Sequence, residues 1–358
     1  MGLLEDLGIE LLWFDSMGAK SFSISVNTSE GPVIIDPGAA VMQPSYPLPA
    51  RKKIELRRKA MKVIEAKLNE ARAVIITHYH YDHHFLPSDK DLSRRDLLLG
   101  RTLILKNPNK YINRSQWERA RIFISEILRI SNSSLEEHLI TAEEQEFEDP
   151  AEKLVLALSK DFGDYQRRRE YLLDRGRKWF RELANNLWAK GLWVKEFELE
   201  NRTKVIWGDG RTFRIGDVSF QVLGPWFHGI EYDRTGWVTP VVIKSTGVIF
   251  YSSDLMGPEI EDYAEHISGL RPDVVILDGP PTYLFPFMLN RINLRRALEN
   301  AITIIKSSPK LVIYDHHLLR ERKWRERVSE VFEEARREDV AFMTASEYLG
   351  RPPIIDTI

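Results

Sequence analysis

The sequence predicts an α/β protein, and three observations carry that expectation. Short apolar runs recur in both halves of the chain, among them Val33-Ile34-Ile35, Ala73-Val74-Ile75-Ile76 and Leu311-Val312-Ile313-Tyr314. Their length and β-branched content read as buried strands. Between the halves, from about residue 115 to 195, the text becomes helical and highly charged. Several of the runs end within a few residues of an aspartate or histidine, the position where α/β proteins assemble sites. The 358 residues, 43% of them hydrophobic, can bury a sizeable core. We read them as one domain, 1–358, interrupted by a helical insertion at about 110–196.

The elements follow in order. Residues 9–14 form a strand, and 21–26 alternates Phe22 and Ile24 against serines. Val33 to Ile35 then ends on Asp36-Pro37-Gly38. Consecutive short strands with tight turns predict an antiparallel meander. Residues 54–68 have helical periodicity, and 73–76 and 102–105 are strands. Within the charged block, helices are expected at 115–130, from an Asp149 cap with Pro150 in the first turn to about 159, and at 165–188. Strands resume at 205–207, 212–215 and 218–223, and again at 241–243, 248–251, 274–277 and 311–314. Helices are expected at 293–305 and 319–337.

Composition excludes several classes. The charges nearly cancel, to a formal −2, so no global attraction to nucleic acid or an anionic membrane follows. With no cysteine there are no disulfides, iron–sulfur clusters, thiolate zinc sites or cysteine nucleophiles. The N-terminus lacks a basic start and an apolar core, and no apolar run approaches ~18 residues. The expectation is a soluble cytoplasmic protein without a membrane partner.

One stretch organises the chemistry. In Thr77-His78-Tyr79-His80-Tyr81-Asp82-His83-His84, four of the nine histidines fall within seven residues, directly after a buried strand. Alternate residues of an extended chain point the same way, so His78, His80 and Asp82 can converge, and a following turn can add His83. Imidazole and carboxylate are common ligands of zinc and similar ions. The same strand-end position is held by His228, by Asp254 and by the His316-His317 pair, whose two rings would point to opposite sides of an extended chain.

At this point a resemblance is plain. His78-x-His80-x-Asp82-His83 resembles the signature of the metallo-β-lactamase superfamily. Asp36 matches its first motif, and His228, Asp254 and a histidine near 316 match its third, fourth and fifth. More narrowly, the chain is similar to an uncharacterised archaeal family of metallo-hydrolases with an inserted helical segment. The resemblance implies an αββα sandwich with metals at one edge of the paired sheets. It implies His78, His80 and His228 as ligands of one ion, Asp82, His83 and the last histidine as ligands of a second, and Asp254 as the bridging carboxylate. Asp36 would orient a ligand histidine through its ring N–H; its alternative is a turn-starting residue before Pro-Gly. For the last ligand, Asp315-His316 with Arg320 resembles the fifth motif of transfer-RNA-processing phosphodiesterases, which favours His316 over His317. His84 is expected to support the site, and His138 and His266 to be solvated.

The activity this implies is metal-assisted hydrolysis by a metal-bridging hydroxide, with no serine or cysteine nucleophile. The expected cofactor is two zinc ions, with manganese or ferrous iron as alternatives. Asp82 and Asp36 are the catalytic candidates, Asp82 for orienting the hydroxide or handling a proton. The expected substrate is a small molecule, with a phosphodiester or related phosphate ester ahead of a lactone or thioester. Ser252, Ser253 and Arg320 are its candidate phosphate contacts, against a plain strand end and a surface ion pair. Asp278 is read as a turn residue ahead of a supporting carboxylate. A mononuclear iron oxidoreductase and a non-catalytic nucleic-acid-binding module are the other classes. For the latter, Lys110, Arg167, Arg168, Arg169 and the nearby Tyr171, Trp179 and Phe180 offer basic and aromatic text; a solvated helix with core aromatics is the favoured reading.

Overall fold

Two seven-stranded mixed sheets form the centre of the computed structural model, which describes residues 2–358. In the first sheet, Ile9–Phe14, Phe22–Val26 and Val33–Ile35 run antiparallel, as the tight turns predicted. Ala73–Ile76, Thr102–Leu105 and Lys204–Trp207 then add in parallel, and Phe197–Glu198 closes the edge. The second sheet repeats the plan. Thr212–Ile215, Val218–Val222, Val241–Lys244 and Val248–Tyr251 are antiparallel, followed in parallel by Val274–Asp278, Leu311–Asp315 and Ala341–Met343.

The continuous apolar runs are explained by burial on both faces. Val33, Ile35, Ala73 and Ile75 pack between the sheets with Phe220, Ile243, Tyr251, Ile276 and Ile313. Their neighbours Ile34, Val74 and Ile76 point outward beneath the helices Ala50–Leu68 and Arg114–Ile130. Val275 and Val312 do the same beneath Arg291–Lys306. Helix, sheet, sheet and helix therefore stack as four layers, the αββα sandwich of the metallo-β-lactamase fold.

The helices between Thr102–Leu105 and Lys204–Trp207 dock on one flank of this frame. Gln166–Leu183 continues into the wide turn Ala184–Trp188. Trp188 and Trp237 are fully buried, and Trp179 stacks parallel to Trp237 with ring centres 5.4 Å apart.

Two expectations needed correction. The first long helix begins at Ala50, not 54, because its opening turn Ala-Arg-Lys-Lys lacks an apolar period. The single helix expected at 319–337 is three pieces, His316–Arg320, Trp324–Arg327 and Ser329–Arg337. All five residues of the first piece are buried, which an amphipathic surface helix cannot accommodate. Two-residue strands such as Trp226–Phe227 and Trp237–Val238 are too short to show a period.

Candidate metal centre

The residues singled out at strand ends meet at one edge of the sandwich. His78 lies two residues beyond Ala73–Ile76, Asp254 three beyond Val248–Tyr251, and His316 directly beyond Leu311–Asp315. Parallel register holds these ends level; Asp278 pairs with Asp315 in adjacent strands. After His80 the chain turns at once, for the amides of both His83 and His84 donate to the His80 carbonyl at 2.9 and 3.1 Å. That turn carries His83 back beside His78, with ring centres 4.1 Å apart.

The side chains fall into two groups that share Asp254. Ligand atoms of His78, His80, His228 and Asp254 lie within 4.8 Å of one another, and so do those of Asp82, His83 and His316. Asp254 turns one oxygen to each. Its Oδ2 stands 3.4 Å from His78 Nε2 and 3.2 Å from His228 Nε2. Its Oδ1 stands 2.8 Å from His83 Nε2 and 3.1 Å from His316 Nε2.

This donor set fits metal ions better than it fits hydrogen bonding. His78 Nε2 faces His80 Nδ1 at 3.1 Å, and His83 Nε2 faces His316 Nε2 at 3.3 Å. Both oxygens of Asp254 and both ring nitrogens of His228 are buried without a properly directed hydrogen bond. Such orphaned acceptors are costly unless a cation satisfies them. The site's field also calls for positive charge. Burial opposes a proton on His83, yet the Asp254 and Asp36 carboxylates push its pKa up to about 10. Burial and the neighbouring His83 bring His78 down to about 4, which leaves its imidazole free to donate a lone pair. These residues could therefore hold one ion in each group.

A second layer of carboxylates fixes the rings. Asp36 stands 2.8 Å from His83 Nδ1 and accepts from the Thr77 amide and hydroxyl at 2.8 and 2.6 Å and from the Tyr251 hydroxyl at 2.8 Å. Asp15 stands 2.9 Å from His316 Nδ1 and accepts from Arg320 Nε at 2.6 Å. Asp278 lies 3.0 and 3.1 Å from His317 Nδ1. Burial pushes Asp278 up to about 7 against the pull of His316. Asp36, Ser253 and His316 all adopt left-handed backbone, with φ of 50°, 52° and 63°, a cost of order 1–3 kcal/mol each that the surrounding bonds must offset.

Several expectations change here. His316 and His317 do not point to opposite sides; the left-handed turn at His316 brings the rings 4.4 Å apart, both toward Asp254. Arg320 is no surface ion pair. It is buried, with Nη2 3.2 Å from Asp82 and Nη1 3.5 Å from the Tyr283 hydroxyl. Ser252 and Ser253 are fully buried, with their hydroxyls engaged inside the fold. Ser253 bonds Thr77 at 2.6 Å, and Ser252 accepts from the Asp278 amide at 2.9 Å. Asp278 acts on His317 and the Met256 amide, not only as a turn residue. His84 is buried, its Nδ1 2.9 Å from the His80 carbonyl. His266 is exposed, but His138 is partly buried against Phe197 at 4.4 Å. In the insertion, Trp179 and Phe180 belong to the core, and Arg169 pairs with buried Glu231 at 2.9 Å. Sequence reasoning missed Asp15, although it follows the apolar strand Ile9–Phe14 just as Asp36 follows Val33–Ile35.

The paired mixed sheets with this donor set at their edge define a protein of the metallo-β-lactamase fold. Residues 19–85 match the family model of the metallo-beta-lactamase superfamily, a span that includes Asp36, His78, His80, Asp82 and His83. The chain has archaeal homologues along nearly its whole length. It is 27% identical over 340 residues to a UPF0282 protein of Korarchaeum cryptofilum, covering 94% of this chain and 88% of that one. It is 28% identical over 348 residues to a UPF0282 protein of Methanopyrus kandleri, covering 95% and 93%. Among solved structures it is similar to the isothiocyanate hydrolase from Delia radicum gut bacteria, at 11% identity and a TM-score of 0.40, over 92% of this chain and 95% of that one. Among the described residues no helix is long and apolar enough to cross a membrane.

Proposed function

We propose that the protein is a hydrolase working with two divalent metal ions, zinc in the first instance. The observation that carries this reading is Asp254, which divides its two oxygens between two imidazole groups at 2.8–3.4 Å. His78, His80 and His228 would hold one ion, and Asp82, His83 and His316 the other. A pair of ions bound there supplies Lewis acidity and a water acidic enough to attack near neutral pH. The chain's own residues do the rest. Asp36 and Asp15 keep His83 and His316 in fixed tautomers and orientations. Burial would raise the Asp82 pKa, but His83 and Arg320 hold it well below the ordinary carboxylate range. So acidic a group is a poor general base, and we assign Asp82 to orienting the attacking water.

A phosphodiester or related phosphate ester remains our first substrate class, now on a different residue. Ser252, Ser253 and Arg320 are committed internally. Lys20 is partly buried and makes no ion pair to a carboxylate among the described residues; burial, then Arg320, lower its pKa against the pull of Asp82 and Asp15. Its ammonium is available to an anionic substrate.

The test is metal analysis of the purified protein, coupled to hydrolysis of phosphodiester, lactone and thioester substrates. We expect two ions per chain and an activity that Asp254→Ala abolishes. Lys20→Met should lower phosphodiester turnover more than lactone turnover. A chain that takes up no ion after reconstitution would sink the proposal. A single iron with oxygen consumption would replace it by an oxidoreductase.

A further inference from the structure

The helical insertion reaches the metal centre through one buried amide. Gln116 lies in the first turn of Arg114–Ile130 and is fully buried. Its Oε1 accepts from the Tyr79 amide at 3.2 Å, and Tyr79 stands between His78 and His80. Its Nε2 donates to the Thr235 carbonyl at 2.6 Å. Thr235 belongs to the loop between Trp226–Phe227 and Trp237–Val238, the loop that begins with His228. The Thr235 hydroxyl in turn donates to the His228 carbonyl at 2.8 Å. One side chain thus spans from the His78-Tyr79-His80 backbone to the His228 loop.

Everything around this bridge points the same way. Asn113 caps the helix by accepting from the Gln116 amide at 2.8 Å and donates to the Arg234 and Thr235 carbonyls at 2.7 and 2.9 Å. Gly236, with φ near 100°, leaves room for both amides; a Cβ there would lie 3.4 Å from each. Farther along, Arg169 pairs with Glu231, Tyr232 donates to Asp149 at 2.7 Å, and Arg234 covers Trp179 at 4.6 Å. The His228 loop is clasped by the insertion. A two-strand hairpin of two residues per strand is marginal by itself and needs such support.

We propose that Gln116 is a positioning residue for the first metal ion, setting the separation between His78–His80 and His228. The inference rests on the two-ion reading above. It assigns the insertion a role in site geometry instead of in substrate capture. The second group, Asp82, His83 and His316, is held by Asp36, Asp15 and Arg320 and, among the described residues, has no bond to the insertion's clasp.

The experiment is stepwise zinc uptake by the full chain, read by competition with a chromophoric chelator, with cobalt absorption as a second readout of coordination. Gln116→Leu removes both bonds. Gln116→Glu keeps the acceptor for Tyr79 and loses the donor to Thr235. We expect Gln116→Leu to weaken one of two ions on the order of tenfold, within the range for outer residues of metal sites. The other ion should bind as in the wild type, the cobalt spectrum should change for one site only, and Gln116→Glu should fall between. If Gln116→Leu fails to fold, Gln116→Glu alone carries the test. Equal affinities and spectra for variant and wild type, or equal weakening of both ions, would overturn the proposal. If the wild type binds no zinc at all, the two-ion reading has failed and this inference goes with it.

Discussion

Arg320 shows how much of the site depends on residues that touch no reacting atom. Its guanidinium holds Asp15, which orients His316, and Asp82, so one cation organises two members of the second group. Lysine cannot serve two carboxylates in this forked geometry. We expect Arg320→Lys to weaken the second ion by about 10–100-fold while sparing the first, measured by the same zinc competition. Unchanged uptake would reduce Arg320 to a structural ion pair. The contrast between Arg320 and the histidines explains what the sequence made visible. His78, His80, Asp82 and His83 crowd into one stretch, so their convergence is readable from alternation and a turn. Asp15 reaches His316, 301 residues away, and Gln116 reaches Thr235, 119 residues away, and all three look like ordinary strand-end, helix and loop text. Arg320 and Ser253 have partners that only the closed fold supplies, so the sequence leaves their roles open.

At the scale of elements, the strand ends do the positioning, and Gly38 is the tightest joint among them. The Asp36-Pro37-Gly38 turn lies against the turn that carries His83 and His84. A Cβ on Gly38 would stand 2.3 Å from the His84 nitrogen and 2.5 Å from the His83 carbonyl carbon, both backbone atoms that cannot swing away. Gly38→Ala must therefore push the His83 backbone off its place, away from Asp36 and Asp254. We expect a loss of stability of at least about 2 kcal/mol, by denaturant titration, together with loss of the second ion. A variant that folds and loads normally would show that the turn is softer than its contacts imply. The parallel strands and long helices were legible because their periods run for several residues. The His316–Arg320 piece was not, since five buried residues in a row carry no amphipathic period.

For the whole molecule, two sheets of one plan are joined by a third region that buries charge of its own. Arg169, Glu231, Arg296 and Glu261 form a chain of ion pairs from the insertion to the second sheet's helices, at 2.7–2.9 Å. Glu259 lies against this network but outside it. It is 4% exposed, and no hydrogen bond or ion pair reaches its carboxyl among the described residues. Burial, then the nearby Asp233, raise its pKa well above the ordinary value, while Arg296 only partly compensates. The folded chain therefore holds the Glu259 proton to higher pH than the unfolded chain does. Folding takes up a proton, so this residue costs nothing below about pH 4 and destabilises progressively as the pH rises above the ordinary glutamate value. The slope is about 1.4 kcal/mol per pH unit until the folded pKa is reached. Glu259→Gln keeps the shape and removes the proton uptake. We expect the variant to match the wild type near pH 4 and to become the more stable of the two as the pH rises above the ordinary glutamate range. The measurement is denaturant unfolding of both chains at a pH near 4 and at one above that range, where the shared titration of the histidines cancels in the difference. Equal stability at both pH values would mean that Glu259 titrates alike in the folded and unfolded chains.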